Sequence, residues 1–179
     1  NSINRSLLLI FDEQTKPEVF DKIFSSQQIT NSIQSLLQRG GMIFINPLSS
    51  DIMAKLPKSM RAYFKDIGAG LLSSVNFPGE KGTFTFAANP EIKHKILSEP
   101  NNLLKTKWKG AQAARYWVDF GWEFEPLLVE NRGHCSTILE EGVLGKGKII
   151  WNLAYSLTRS TKDEFIENVL TYIYGPRKA

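Results

Sequence analysis

Two short apolar runs, Leu7 to Phe11 (LLLIF) and Met42 to Asn46 (MIFIN), frame the start of the chain. A continuous run of this length reads as a strand covered on both faces, as parallel strands usually are. Between them Ile29, Ile33, Leu36 and Leu37 fall on one stripe and predict a helix over Gln28 to Arg39. Asp12 to Ser26 reads as a loop with one helical turn after Pro17. Gly40-Gly41 ends the helix, because glycine adopts a left-handed cap without steric cost. Strand, helix, Gly-Gly, strand is a βαβ unit, and such crossovers are right-handed.

Downstream the pattern is more broken. Ser49-Ser50-Asp51 can cap a short helix that Pro57 interrupts before a second one over Lys58 to Asp66. Gly70 to Phe77 and Gly82 to Ala88 read as strands around the turn Pro78-Gly79-Glu80-Lys81, an antiparallel hairpin. Within it Thr83-Phe84-Thr85-Phe86 alternates, sending both phenylalanines to one face. Pro90 to Leu97 predicts a short helix with proline at its first position, followed by a polar, lysine-bearing loop over Asn101 to Gly110. Ala114 to Phe120, Leu127 to Glu130 and Thr137 to Glu140 predict strands, and Gly145-Lys146-Gly147 turns the chain into a further strand over Lys148 to Ala154. Thr161-x-x-Glu164 is a capping box opening a last helix whose stripe is Phe165, Ile166, Val169, Leu170 and Ile173. The expectation is a single three-layer α/β domain over residues 1–179, its sheet mostly parallel with an antiparallel hairpin extension.

Composition narrows the function classes. Hydrophobic residues make up 42% and charged residues 22% of the chain, which excludes a largely disordered protein. The formal charge of +4 is mild, so a nucleic-acid partner is not indicated. A lone cysteine, Cys135, excludes an intrachain disulfide, and with only His94 and His134 as histidines neither a metal site nor a cofactor is expected. No apolar run approaches the roughly 20 residues that span a bilayer. The start at Asn1-Ser2-Ile3, without methionine, reads as a processed product or a piece of a longer polypeptide.

Two phrases carry a family resemblance. Ser35-Leu36-Leu37-Gln38-Arg39-Gly40-Gly41-Met42-Ile43-Phe44-Ile45-Asn46-Pro47 resembles the helix, Gly-Gly, buried strand and proline of class I glutamine amidotransferase-like domains. Leu127 to Tyr174 resembles their ending, with Gly-Lys-Gly-Lys between apolar strands and Phe165 and Asn168 to Leu170 in the last helix. The resemblance implies a flavodoxin-like fold of the non-catalytic kind that accompanies some glycoside hydrolases, such as β-galactosidases. Implied partners are other domains or subunits of a larger enzyme, and carbohydrate; the implied location is exported or periplasmic. The family's chemistry is missing, because Pro47-Leu48-Ser49-Ser50 replaces the cysteine elbow and the segment Trp151 to Asp163 has no histidine.

Each candidate site has a plain structural reading beside it. Cys135 and His134 are neighbours on an extended chain and point to opposite faces, so the pair reads as structural. Gly145-Lys146-Gly147-Lys148 lacks the spacing and the following helix of a phosphate loop and reads as a hairpin turn. Ser49 and Ser50 follow a parallel strand, where α/β folds collect ligands, and are retained as a pocket wall as well as helix caps. Lys55, Lys58, Arg61 and Lys65 share a helical face that could meet an anionic partner or simply water. Trp108, Tyr116, Trp117 and Trp122 lie close to Arg115, a combination of aromatic faces and charge that suits sugar rings or bases. The expected ligand-contacting residues are Ser49, Ser50, Trp108, Arg115, Trp117 and Trp122, with no catalytic residue among them. A non-catalytic accessory or assembly module is the first reading. The alternatives are a hydrolase using Ser49 or Ser50, or carboxylates such as Asp12 and Glu13, and a polyanion-binding module.

Overall fold

The computed structural model describes residues 6–10, 15–46, 55–73, 80–117, 124–130, 135–154 and 159–176. Its strands are β1 (Ser6–Ile10), β2 (Met42–Asn46), β3 (Glu80–Ala88), β4 (Lys107–Trp117), β5 (Phe124–Glu130), β6 (Cys135–Val143) and β7 (Gly147–Asn152). The helices are α1 (Pro17–Phe24), α2 (Gln27–Gln38), α3 (Lys58–Asp66), the single turn α4 (Gly70–Ser73) and α5 (Arg159–Tyr174), with a 3-10 turn over Lys95–Leu97. The seven strands form one sheet in the order β1-β2-β7-β6-β4-β3-β5.

The opening βαβ unit is present: β1 and β2 pair in parallel, with α1 and α2 in the crossover. The apolar run of β2 is buried on both sides, Ile43, Phe44 and Ile45 all being at most 1% exposed. Ser26 caps α2, its hydroxyl accepting the Ile29 N–H at 3.4 Å. At the other end Gly40 (φ +86°) lets its own N–H and that of Gly41 return to the Leu37 and Leu36 carbonyls.

Beyond β2 the mostly parallel, flavodoxin-like expectation is overturned, and with it the amidotransferase-like resemblance. Only β1–β2 and β2–β7 are parallel; the other five pairings, β6–β7, β4–β6, β3–β4, β3–β5 and β5–β6, are antiparallel. Moreover, β6 meets β5 along one edge and both β7 and β4 along the other, while β3 bridges β4 and β5. The sheet thereby closes a four-stranded antiparallel ring of β3, β4, β6 and β5. The two resembling phrases encode a βαβ start and a strand–turn–strand–helix ending, which a mixed sheet can also accommodate. The intervening order of strands decides the topology, and short phrases do not carry it.

Local expectations fail where polar and apolar positions are mixed. Gly70 begins the helical turn α4, so no hairpin joins Gly70 to the strand after it; β3 instead pairs with β4 and β5. The supposed loop over Asn101 to Gly110 already holds the start of β4 at Lys107. α5 starts at Arg159, ahead of Thr161, and α1 is a full helix.

The sheet separates two cores. On one face α1–α4 contribute Phe20, Leu37, Met60, Phe64 and Leu71, packed against Ile43, Ile45, Leu139, Ile149 and Trp151. On the other, Phe165, Val169 and Ile173 of α5 meet Phe44, Ile138 and Ile150, joined by Phe86, Trp108 and Leu127 from the ring. The tight turn after β6 brings β7 against α2: a Cβ on Gly147 would lie 2.7 Å from the Leu37 carbonyl oxygen, so only glycine fits there. Among the described residues no helix is long and apolar enough to cross a membrane.

Candidate functional site

Strand β6 carries two consecutive glutamates, Glu140 and Glu141, each only 3% exposed. Strand alternation sends them to opposite faces, where each must find donors or remain an uncompensated buried charge. Both find them.

Glu140 faces the α5 side. One oxygen accepts from the Lys148 ammonium at 2.7 Å; the other accepts from His94 Nε2 at 2.7 Å and from the Tyr172 hydroxyl at 3.2 Å. Lys148 comes from the β6–β7 hairpin: Gly142 lies opposite Lys148, which places Lys148 diagonal to Glu140 on the same face. His94 opens the 3-10 turn, its Nδ1 accepting the Ile96 N–H at 3.2 Å. The His94 ring also packs on Tyr172 at a centroid separation of 4.7 Å.

This geometry fixes the tautomer. A nitrogen that accepts a backbone N–H carries no proton, so a neutral His94 holds its hydrogen on Nε2 and donates it to Glu140. Burial works against the charged form of Glu140, but hydrogen bonds from His94 and Lys148 outweigh it and hold the carboxyl below its ordinary range. The bond to Glu140 raises Lys148 in turn, and burial followed by the nearby Glu140 charge pushes Tyr172 up to about 12.

Glu141 faces the other core. It accepts the Gly70 N–H and the Trp151 indole N–H, the latter at 2.8 Å, and a further backbone bond comes from Leu71. No cation joins it. Burial here prevails over the hydrogen bonds and raises the carboxyl above its ordinary value. Adjacent residues of one strand thus carry opposite shifts.

His94, Glu125 and Glu140 bring one ligand atom each within 4.8 Å of one another, a spacing that could hold a metal ion. The donor set does not suit one as it stands. Nε2 bears the proton, so coordination would drive that proton to Nδ1 and break the bond from Ile96. Lys148 already neutralises the Glu140 carboxylate, so a metal cation there would meet a like charge. The array is closed: each nitrogen of His94 and each oxygen of Glu140 is engaged.

The surrounding frame is held by Asn168, fully buried on α5. Its amide donates to the carbonyls of Ile96 and Asn101, both at 2.8 Å, and its oxygen accepts the Asn101 N–H at 2.9 Å. One side chain therefore ties the segment that carries His94 to the helix that carries Tyr172.

Of the six ligand-contacting residues expected from the sequence, only Trp108 has a side chain among the described residues. Trp108 is fully buried, with Phe86 opposite it across β3–β4, so its ring packs in the core and offers no face to a sugar. Its indole nitrogen is buried and has no hydrogen-bond partner among the described residues. Arg115 and Trp117 sit in β4 opposite Glu80 and Cys135; their side chains, together with Ser49, Ser50, Trp122, Asp12, Glu13 and His134, lie outside the described residues. Cys135 is buried. On the α3 side Lys55, Lys58 and Lys65 are exposed, while Arg61 is half-buried with its Nε directed to the Leu56 carbonyl at 3.4 Å. Sequence reasoning missed the buried array. The β6–β7 register offered one signal, because a turn centred on Gly145 places Glu140 and Lys148 diagonally on one face. Nothing local pointed to His94 or Tyr172.

No protein-family model matches the chain, and no curated protein matches it. Among solved structures it is similar to the cytoplasmic protein STM3548 from Salmonella typhimurium, with a TM-score of 0.52 and 14% identity, covering 94% of this chain and 71% of that one. The cytoplasmic protein STM1381 from Salmonella typhimurium LT2 gives a TM-score of 0.49 at 11% identity, covering 93% of this chain and 71% of that one. The first likeness speaks to the fold alone. The exported or periplasmic location implied by the amidotransferase-like resemblance is corrected: the mixed sheet removes its basis, and STM3548 is described as a cytoplasmic protein.

Proposed function

We propose that this chain is a non-catalytic accessory or assembly domain, which acts by binding a partner and turns over no substrate. The observation that carries the reading is the closed state of the Glu140 array. A general base or nucleophile must hold a free lone pair toward a substrate. His94 spends Nδ1 on Ile96 and the Nε2 proton on Glu140, and Glu140 is neutralised by Lys148. Such an array braces the junction of the 3-10 turn, the sheet and α5.

The test separates bracing from chemistry. Glu140→Gln and His94→Gln are each compared with the wild-type chain for thermal unfolding and for hydrolysis of chromogenic glycosides, esters and amides, with and without added Zn²⁺. Both variants are expected to unfold at lower temperature, and no chain to show turnover above blank. A turnover that Glu140→Gln abolishes while leaving the unfolding temperature unchanged would overturn the reading.

A further inference from the structure

Helix α5 is apolar on two sides. Phe165, Val169 and Ile173 form its buried stripe at spacings of four. Ile166, Leu170 and Tyr174 form a second stripe at the same spacing, and Tyr174 is 61% exposed. This outer stripe lines a groove of about 720 Å³, bounded by Pro100 from the segment that Asn168 anchors and by Pro176 beyond the helix end. A volume of this order lies within the roughly 300–1,000 Å³ of ligand-binding clefts.

Among the described residues the charge lining the groove has one sign. Asp163 and Glu167, four residues apart on the same side of α5, are its ionised groups, and no lysine or arginine lines it among the described residues. Glu167 accepts from the Asn101 amide at 2.9 Å, a bond that orients the carboxylate and leaves its charge in place. The chain as a whole carries +4, so this acidic lining runs against the sign of the protein. From Asp163 to Tyr174 the helix rises about 16 Å. An extended segment of roughly five residues has that length.

We propose that the α5 groove docks an extended segment of a partner protein bearing lysine or arginine at one end and apolar side chains at the other. The cation lies over Asp163 and Glu167, and the apolar side chains lie along Leu170 and Tyr174, between Pro100 and Pro176. The assignment rests on the binding-domain reading and names the chemistry of the partner. Docking of this kind weakens as salt screens the carboxylates.

The experiment uses two fluorescein-labelled hexapeptides, one with leucines and two lysines, the other with each lysine replaced by glutamine, read by fluorescence anisotropy. Amide NMR maps the contact. The lysine peptide is expected to bind about tenfold more tightly than the glutamine peptide at low salt, perturbing amides of the 163–176 and 100–101 segments. The double variant Asp163→Lys, Glu167→Lys, on the solvent side of a helix anchored by its other face, should lose the preference while unfolding at the wild-type temperature. Leu170→Ser should weaken both peptides. Equal binding of the two peptides, unchanged preference in the double variant, or perturbations confined to another surface would overturn the proposal. So would a cello-oligosaccharide that perturbs the groove amides while the peptides leave them unmoved. None of these outcomes depends on the turnover assay, which tests the non-catalytic reading separately.

Discussion

Glu140→Ala is expected to destabilise the protein at pH 7 by about 3–5 kcal/mol, the usual loss when one member of a buried charged pair is removed. For a chain of this length that lowers the unfolding temperature by roughly 10 °C. The loss has three sources. His94 Nε2–H and the Tyr172 hydroxyl are left as buried donors without an acceptor, and Lys148 loses its counter-ion. The Lys148 part is small, because its side chain is 45% exposed and well screened. The pH dependence identifies the cause. A carboxyl held below its ordinary value contributes stability that is complete above the unfolded-state value of about 4.5 and is lost as pH falls through the folded-state value. The gap between wild type and Glu140→Ala should therefore be full at neutral pH and close progressively below about 4.5. Chemical denaturation at a series of pH values measures it. A gap that stays constant through the acid range would show that Glu140 is not held as a charged acceptor.

Glu141→Ala is expected to destabilise by a comparable amount, with the opposite slope. Three donors, from Gly70, Leu71 and Trp151, lose their acceptor inside the α1–α4 core, at about 1–3 kcal/mol for each buried group left unmade. Here the folded-state carboxyl is raised. Its stabilising contribution is complete below the unfolded-state value and diminishes as pH rises through the folded-state value. The gap between wild type and Glu141→Ala should thus widen on acidification, where the Glu140→Ala gap narrows. Trp151→Phe, which keeps most of the ring volume and removes only the indole N–H, should reproduce a part of the loss. Parallel slopes for the two alanine variants would contradict the assignment of the two glutamates to different environments.

The sequence was most legible where a pattern is both strong and local. LLLIF and MIFIN identify two strands, the second of them buried on both faces, because unbroken apolar runs leave little alternative, and Gly40-Gly41 marks the end of α2 because the cap needs a left-handed residue. The β6–β7 turn and the inward stripe of α5 were legible for similar reasons. Topology was not. Nothing in the run Glu80 to Ala88 states that its neighbours are β4 and β5, so a local hairpin beginning at Gly70 was the natural inference, where the structure has the helical turn α4. Trp108 shows the same limit on the scale of one side chain. Beside lysines it resembled a binding platform, yet the early start of β4 places it opposite Phe86 in the core. Ile166 and Leu170 were counted with the buried stripe because periodicity cannot tell where an apolar edge stops meeting the sheet; Ile166 packs half-buried against the core and also lines the groove, whereas Leu170 lines the groove. The Glu140 array was hidden most completely, since its four members come from positions 94, 140, 148 and 172 and meet only after the mixed sheet has formed.

The most direct measurement is the tautomer of His94, read from the ¹⁵N shifts of its imidazole at neutral pH. The array predicts the proton on Nε2 and an Nδ1 that accepts from the Ile96 N–H, unchanged when Zn²⁺ is added. A proton on Nδ1 with Nε2 left bare, or a Zn²⁺-induced shift of Nε2, would mean that the ring keeps a lone pair available for chemistry, and the non-catalytic account would be contradicted.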